Sequence, residues 1–358
     1  MSAALFVGLM SGTSLDGVDA VLLDATAAPR VLASLHHPFD EPLRRELLAL
    51  NTPGDNEIDR SERLGNELTK RYGAAVIELL RRHGTPAAAV RAIGCHGQTV
   101  RHRPERGYTV QIGNPALLVE LTGIAVVADF RARDVAAGGQ GAPLAPAFHA
   151  TLFRHRSENR AVVNLGGIAN VTRLPAEGTV LGFDCGPGNC LLDLWAARHL
   201  GRPFDQNGDW AAGGKVDAAL LERLLAEPFL AAPPPKSTGR DLFNDAWLAA
   251  RLRGEAPQAV QATLAEFTAR NVAAACRGAA RLIACGGGTR NADLMRRIAA
   301  LVQPAPLESS AAYGLDPALV EATAFAWLAE RTVNGAPGNL AEVTGARGPR
   351  VLGAIYPA

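Results

Sequence analysis

Residues that could bind a phosphate lie between two apolar runs near the N-terminus. The runs, Leu5 to Leu9 and Val18 to Leu23, predict the two strands of a hairpin. Small and hydroxyl-bearing residues separate them. Glycine lets a backbone approach a ligand closely, and successive N–H groups in such a turn form a concave anion site. The stretch is therefore predicted to be a hairpin that cradles nucleotide phosphates.

The predicted nucleotide-binding residues of this turn are Gly12, Thr13, Ser14, Leu15, Asp16, Gly17, Val18 and Asp19. Asp16 and Asp19 are placed to hold Mg²⁺ directly or through water, and Asp16 is the predicted metal ligand. An ordinary hairpin turn is the alternative, because glycine and serine are common turn residues.

The pattern of strand, glycine turn and strand occurs again at Ala161 to Leu174, about half a chain later. Its predicted phosphate contacts are Gly166, Gly167 and Asn170. An internal repeat of this kind indicates two related lobes that face one nucleotide. Three consecutive glycines, Gly286, Gly287 and Gly288, follow a further apolar run, and we expect adenine or ribose to approach their backbone.

Asp184 ends another predicted strand, and glycines lead from it into a helix. An acidic residue at a strand end above a helix N-terminus is well placed for chemistry. The alternative is that Asp184 only caps the helix.

Short apolar runs in the first half of the chain end in polar clusters, which predicts an α/β sheet with a site at the carboxyl ends of its strands. The polar residues at these ends are His96, Gln98, Thr99, Asn114, Asp129, Arg131, Arg133 and Asp134. A last long helix, predicted to start at Asp316-Pro317, carries Glu321, for which a solvated surface position is the alternative. The proline-rich stretch 232–240 is predicted to be a surface loop.

Composition excludes several classes of protein. The chain has 358 residues, 48% of them hydrophobic, and a net charge of +1. With a net charge this small, the protein has no overall electrostatic attraction to nucleic acid or to an acidic membrane surface. We expect a cytoplasmic protein, because no secretory signal and no membrane-spanning run is visible. The five cysteines contain no CxxC pair and indicate neither a disulfide framework nor a zinc site.

Nine blocks of the sequence, in order, resemble the anhydro-N-acetylmuramic acid kinases. They are GLMSGTSLDGVD at 8–19, GCHGQT at 94–99, QIGNP at 111–115, DFR at 129–131, GGQGAPL at 138–144, NLGGIAN at 164–170, FDCGPGN at 183–189, CGGG at 285–288 and EATAFAWLA at 321–329. The resemblance covers nearly the whole chain. One departure is Arg131-Ala-Arg133, where the family commonly has a run of arginines, so that either arginine could contact substrate.

The resemblance implies an α/β, two-lobed actin/hexokinase-like (RNase H-like) fold with ATP in the cleft between the lobes. The lobes are expected at residues 1–145 and 146–340, with 341–358 returning to the first as a strand segment. It also implies a homodimer that uses ATP and Mg²⁺ on 1,6-anhydro-N-acetylmuramic acid. The enzyme opens the anhydro ring with water and phosphorylates O6, a step in peptidoglycan recycling.

The resemblance also assigns roles. Asp184 matches the family's catalytic base for the attacking water, as in inverting glycosidases. The family's substrate contacts fall on Thr99, on Arg131 or Arg133, and on Glu321, and a cation there suits the lactyl carboxylate of the sugar. Two alternatives stay open at this point. One is another sugar or acetate-type kinase of the same superfold, and the other is a non-catalytic nucleotide sensor.

Overall fold

The computed structural model describes residues 4–12 and 15–358. In chain order its strands are β1 Leu5–Met10, β2 Gly17–Asp24, β3 Arg30–Pro38, β4 Val90–Cys95, β5 Gln98–Arg103, β6 Tyr108–Ile112, β7 Val126–Ala128, β8 Arg160–Leu165, β9 Ile168–Leu174, β10 Leu181–Pro187, β11 Arg281–Cys285, β12 Leu307–Ser309 and β13 Ala354–Tyr356.

The helices are α1 Glu41–Ala49, α2 Glu57–His83, α3 Pro115–Thr122, α4 Ala132–Ala136, α5 Ala145–Phe153, α6 Cys190–Leu200, α7 Asp209–Ala212, α8 Ala218–Leu225, α9 Pro228–Ala231, α10 Asp245–Ala249, α11 Pro257–Ala275, α12 Ala292–Val302, α13 Val320–Val333 and α14 Ala341–Thr344. Apolar residues at helical spacing, among them Leu64, Leu68 and Val76, predict helix α2. The helix ends at Gly84, because the left-handed Gly84 donates its N–H to the carbonyl oxygens of Leu80 and Arg81.

The chain forms two compact units, residues 1–148 with 319–358, and residues 149–318. The sequence-based boundary at 340 differs from this division, because α13 packs on β1 and β4 of the first unit. Helix α13 also begins later than its predicted start at Asp316-Pro317. Residues Pro317–Leu319 form a separate 3₁₀ turn, and the carboxylate of Asp316 accepts the N–H of Ala318 there.

The first unit contains a six-stranded sheet in the order β13-β7-β4-β1-β2-β3. Strands β1, β2 and β3 are antiparallel neighbours, whereas β4 and β7 run parallel to β1. Apolar residues of α1, α2 and α3 pack with residues of this sheet in one core. The strand β13 pairs antiparallel with β7 at the edge of the sheet.

Two glycines bring α13 unusually close to this sheet. Gly8 of β1 and Gly94 of β4 are direct partners in the register. A methyl group on Gly8 would lie 2.0 Å from the carbonyl oxygen of Ala322, and one on Gly94 would lie 2.0 Å from that of Phe325. The backbone of α13 therefore rests on the two strands at positions where only glycine leaves room.

The second unit contains a five-stranded sheet in the order β10-β9-β8-β11-β12. Here too the first three strands are antiparallel and the next two are parallel to the first. Helices α11 and α12 cover one face with Ala269, Val272, Leu294 and Ile298. A second core, built around Trp195, Trp247 and Phe267, joins α6, α8, α10 and α11.

The two sheets share the strand order three-two-one-four-five, with the same parallel and antiparallel neighbours. This agreement confirms the α/β class and the predicted internal repeat of an actin/hexokinase-like (RNase H-like) chain. All five cysteines are buried. Among the described residues, none of the helices combines the length and apolar character needed to cross a lipid bilayer.

The close approach of α13 gives a stability prediction. We expect Gly94→Ala to lower the free energy of unfolding by about 3 kcal/mol, the upper end of the usual cost of overpacking, because a backbone carbonyl occupies the space. Gly54→Ala is the matched control, since its nearest neighbour would be the flexible Arg60 guanidinium at 3.4 Å. It should change stability by less than about 0.5 kcal/mol. Calorimetric melting of both variants measures the difference, and equal melting temperatures would contradict the packing argument.

Candidate active site

The turn between β1 and β2 carries the first set of predicted nucleotide-binding residues. Thr13 and Ser14 lie outside the described residues. The carbonyl oxygen of Gly12 accepts the N–H of Leu15 at 3.2 Å. The side chains of Leu15 and Val18 are almost completely buried in the core of the first unit, so only their backbone can serve a ligand.

The backbone of β3 lies so close to residue 17 that it explains why this residue is a glycine. A methyl group there would lie 2.5 Å from the carbonyl oxygen of His37 in β3. Gly17 is therefore required for the pairing of β2 with β3, and its conformation alone does not indicate a ligand.

The two aspartates of this turn differ in their surroundings. Asp16 is exposed, whereas Asp19 is partly buried and bonded to Nδ1 of His36 at 2.8 Å. The described residues contain no cluster of three or more His, Cys, Asp or Glu that could enclose a metal. A Mg²⁺ ion that takes most of its ligands from phosphate and water needs only one or two carboxylates, and Asp16 suits that requirement.

Arg131 is tightly held in the first unit. Its Nε and Nη2 lie 3.1 and 3.0 Å from Nε2 of His96, and its Nη1 donates to the carbonyl oxygen of Gly141 at 2.8 Å. Burial lowers the pKa of Arg131, while the nearby charges of Glu321 and Asp134 oppose that shift. The guanidinium therefore has a fixed orientation. Arg133, by contrast, is exposed.

Glu321 lies in the first turn of α13, close enough to Arg131 for their charges to interact. Desolvation by the surrounding protein raises the pKa of the Glu321 carboxyl, Arg131 lowers it and Asp19 raises it further. Glu321 is nevertheless an exposed residue, so water can reach it. Thr99, also in this unit, accepts a hydrogen bond from Nε2 of Gln111 at 3.2 Å.

The second glycine turn is bonded to the start of α6. The carbonyl oxygen of Gly166 accepts the N–H of Asn189 at 2.8 Å, and that of Gly167 accepts the N–H groups of Gly188 and Cys190. A methyl group on Gly188 would lie 2.2 Å from the Gly166 carbonyl oxygen. These bonds hold the turn in place through its carbonyl groups.

A row of polar residues crosses three neighbouring strands beside this turn. Asn164 of β8 is paired with Asn170 of β9, and Asn170 is paired with Asp184 of β10. Directly paired residues point to the same face of a sheet, so the three side chains lie on one face. Asn170 and Asp184 are predicted from sequence. Asn164 is missed, because the register that adds it to the row is set by strand pairing.

Asp184 does not cap α6, which overturns that alternative. The N-cap residue of α6 is Asn189, and the carboxylate of Asp184 bonds elsewhere. Its Oδ2 accepts the hydroxyl of Ser237 at 3.0 Å and the N–H of Thr238 at 2.9 Å, and its own N–H donates to the carbonyl of Lys236.

The segment 236–238 thus lies along the edge strand β10. From sequence alone, the stretch 232–240, which leads to a Ser/Thr/Arg cluster, is predicted to be a surface loop, and nothing in it points to Asp184. Its contact with the carboxylate is the site feature that sequence reasoning misses most completely.

The electrostatics of Asp184 combine two opposing effects. Burial raises the pKa of the Asp184 carboxyl, whereas the bonds from Thr238 and Ser237 and the charge of Lys236 lower it. Both bonds reach Oδ2, so Oδ1 accepts no hydrogen bond from the residues that the structure describes. The arrangement holds the group firmly and leaves one oxygen available to take a proton.

The three consecutive glycines have different surroundings. A methyl group on Gly286 would lie 2.3 Å from Oδ1 of Asn164, and one on Gly288 would lie 2.7 Å from Cβ of Leu165. These two glycines therefore allow close packing against β8. A methyl group on Gly287 would meet no atom within 4 Å, which leaves Gly287 as the glycine of the three that is open to a ligand.

Comparison with known proteins gives one consistent result. The sequence profile described as anhydro-N-acetylmuramic acid kinase matches residues 4–358. An anhydro-N-acetylmuramic acid kinase from Variovorax paradoxus is 56% identical over the full length of both chains. One from Nitrosospira multiformis is 52% identical, also over the full length of both. Among solved structures, a ROK family glucokinase from Streptomyces griseus, in complex with glucose and AMPPNP, is 15% identical with a TM-score of 0.42. The similarity covers 92% of this chain and all of the other.

The glycines of residues 286–288 provide a matched pair of variants. We expect Gly288→Ala to destabilise the protein by about 1–3 kcal/mol through overpacking against Leu165. Gly287→Ala should leave the melting temperature unchanged but raise the KM for ATP about tenfold, equal to about 1.4 kcal/mol of lost binding, if adenosine approaches there. Melting curves and steady-state kinetics measure the two effects. An unchanged KM in Gly287→Ala would move the adenosine site elsewhere.

Proposed function

The chain belongs to the anhydro-N-acetylmuramic acid kinase family, whose members act in peptidoglycan recycling, and from that membership we propose roles for its residues. The kinase uses ATP and an anhydro amino sugar. In the proposed reaction, water attacks C1 of the sugar and the bond from C1 to O6 breaks. O6 takes the electron pair of that bond and attacks the γ-phosphorus, and ADP leaves. The products are N-acetylmuramic acid 6-phosphate, ADP and one proton.

Asp184 is the proposed general base, and its geometry is the observation that carries the mechanism. A base must accept a proton from water while water forms its bond to C1. The bonds from Ser237 and Thr238 fix the carboxylate through Oδ2, which leaves Oδ1 for the proton. Burial raises the pKa of Asp184 and so makes it a stronger base than an exposed aspartate.

Arg131 is the proposed contact for the lactyl carboxylate of the sugar, in preference to Arg133. Its orientation is fixed by His96 and Gly141, and a fixed guanidinium loses little entropy on binding an anion. Arg133 is exposed and would have to be ordered first. Glu321 and Thr99 are the proposed hydrogen-bonding contacts to the sugar.

The glycine turns at Gly12–Asp19 and Gly166–Asn170 are the proposed contacts for the ATP phosphates, together with Gly286–Gly288 for the adenosine. Asp16 would hold Mg²⁺ with phosphate oxygens and water, because its exposed carboxylate supplies the hard oxygen ligands that Mg²⁺ prefers. The ion, when bound, would neutralise charge on the transferring phosphoryl group. We also propose a cytoplasmic homodimer, on the resemblance to the family.

An isotope experiment tests the reaction as a whole. The enzyme is incubated with ATP and 1,6-anhydro-N-acetylmuramic acid in water enriched in ¹⁸O, and the sugar product is analysed by mass spectrometry. We expect one phosphoryl group on O6 and one ¹⁸O at C1. A phosphorylated sugar without ¹⁸O at C1 would exclude attack by water.

Replacing Asp184 tests its role as the base. Asp184→Asn keeps the size and can still accept bonds from Ser237 and Thr238, but the amide cannot take the proton. We expect turnover to fall by roughly 10²–10⁴, while sugar and ATP still bind. Steady-state kinetics and calorimetric titration measure the two quantities.

Asp217→Asn is the matched control for that variant. Asp217 caps α8 in the same unit by accepting the N–H of Leu220 at 2.8 Å, and asparagine caps helices about as well. Its turnover should stay at the wild-type level. Wild-type turnover in Asp184→Asn, with ¹⁸O still at C1, would remove Asp184 from the mechanism and make Glu321 the next candidate.

The pH profile tests how the surroundings of Asp184 adjust its basicity. Because the base must be ionised, activity should fall as the pH drops through the raised pKa of Asp184. Ser237→Ala removes a bond that stabilises the ionised form, so it should raise this pKa further and move the acid limb of kcat to higher pH. An acid limb unchanged by Ser237→Ala, or moved to lower pH, would assign the limb to another group.

A further inference from the structure

The guanidinium of Arg131 is held by neutral acceptors. Two of its nitrogens lie 3.1 and 3.0 Å from Nε2 of His96, and a third donates to the carbonyl oxygen of Gly141. An arginine only donates hydrogen bonds, so Nε2 must be the acceptor. His96 is therefore a neutral imidazole with its proton on Nδ1.

The carboxylate of Asp134, three residues after Arg131, is occupied by other donors. Its Oδ1 accepts bonds from Asn339 and Thr344, and its Oδ2 accepts the N–H of Gly141. Every hydrogen bond that Arg131 makes to the described residues goes to an uncharged oxygen or nitrogen. The positive charge is thus oriented without being neutralised by a bonded carboxylate.

His96 is itself well fixed. It is 5% exposed, its N–H donates to the carbonyl oxygen of Leu9, and its ring lies 4.7 Å from that of Phe325. Phe325 belongs to α13, whose backbone rests against Gly94 two residues before His96. An imidazole in this position can set the direction of the guanidinium accurately.

We infer that His96 is a positioning residue, which directs Arg131 toward the substrate carboxylate and, because it is neutral, does not compete with that carboxylate for the charge of Arg131. The inference rests on the proposed function, in which Arg131 binds the lactyl group of the sugar. His96 touches neither substrate nor reacting atoms in this role. Its contribution should therefore depend on whether the sugar carries a carboxylate.

Two substitutions separate positioning from packing. His96→Phe keeps a ring against Phe325 but offers no acceptor, whereas the Oε1 of His96→Gln can reach the position of Nε2. Titration calorimetry measures the dissociation constants of 1,6-anhydro-N-acetylmuramic acid and of 1,6-anhydro-N-acetylglucosamine, which lacks the lactyl group. The ratio used here is the dissociation constant of the sugar without the lactyl group divided by that of the sugar with it. We expect this ratio to fall about tenfold in His96→Phe, a loss of about 1.4 kcal/mol, and to stay within about threefold of wild type in His96→Gln.

The controls separate this inference from the proposed function. His83→Gln, at an exposed position at the end of α2, should leave the ratio unchanged. If His96→Phe does not fold, His96→Asn replaces it, because its amide oxygen reaches the position of Nδ1 and not that of Nε2.

An unchanged ratio in the folded variant without the acceptor, or an equal loss in His96→Gln, overturns the role of His96. A wild-type ratio near one would instead overturn the contact between Arg131 and the lactyl group, and absence of a phosphorylated sugar would overturn the proposed reaction.

Discussion

The contact between the backbone of α13 and the paired glycines Gly8 and Gly94 determines much of the first unit. Gly8 and Gly94 are paired in the register of β1 and β4. Because neither residue has a side chain, the backbone of α13 can pack directly on the sheet at this one place. Because backbone meets backbone there, the helix cannot slide or rotate without a clash. This packing places Phe325 against His96 and Glu321 near Arg131. The packing of α13 on Gly8 and Gly94 therefore helps to determine where Glu321, a candidate sugar contact, lies relative to Arg131.

In the second unit the corresponding constraint is hydrogen bonding along an edge strand. Asp184 lies on β10, which has a neighbouring strand on one side only, and segment 236–238 bonds to its other side. That segment is anchored in turn, because the ammonium group of Lys236 donates to the carbonyl oxygens of Phe229 and Leu230. Without the segment, the edge of β10 would be open to water and the carboxylate would lose both bonds that hold it. The pKa of Asp184 therefore depends on a loop more than fifty residues away in sequence.

Sequence patterns predict those parts of this structure that depend on neighbours along the chain. Apolar runs with glycine turns identify both hairpins, and helical spacing together with Gly84 identifies α2. Contacts between distant segments leave no such pattern. The role of segment 236–238 follows from pairing with β10, and the place of Asn164 follows from strand register. Glycine is ambiguous for the same reason. Gly17, Gly286 and Gly288 have the residue type that a ligand turn requires, yet each is explained by an atom of the protein that lies opposite in the fold.

Arg131 and Asp184 both form their hydrogen bonds with neutral partners. Several other partly buried arginines bond to carboxylates, as Arg160 does to Glu158 and Arg297 to Asp293. Arg131 instead bonds to an imidazole nitrogen and a carbonyl, and Asp184 to a hydroxyl and a backbone N–H. Neutral partners orient a charge without cancelling it, whereas an ion pair would have to be broken before a substrate could use either group. Burying a charge in this way costs stability, and the raised pKa of Asp184 and the lowered pKa of Arg131 are signs of that cost. The same cost makes both groups more reactive toward a substrate of opposite charge or a proton, which is the preorganisation that catalysis requires.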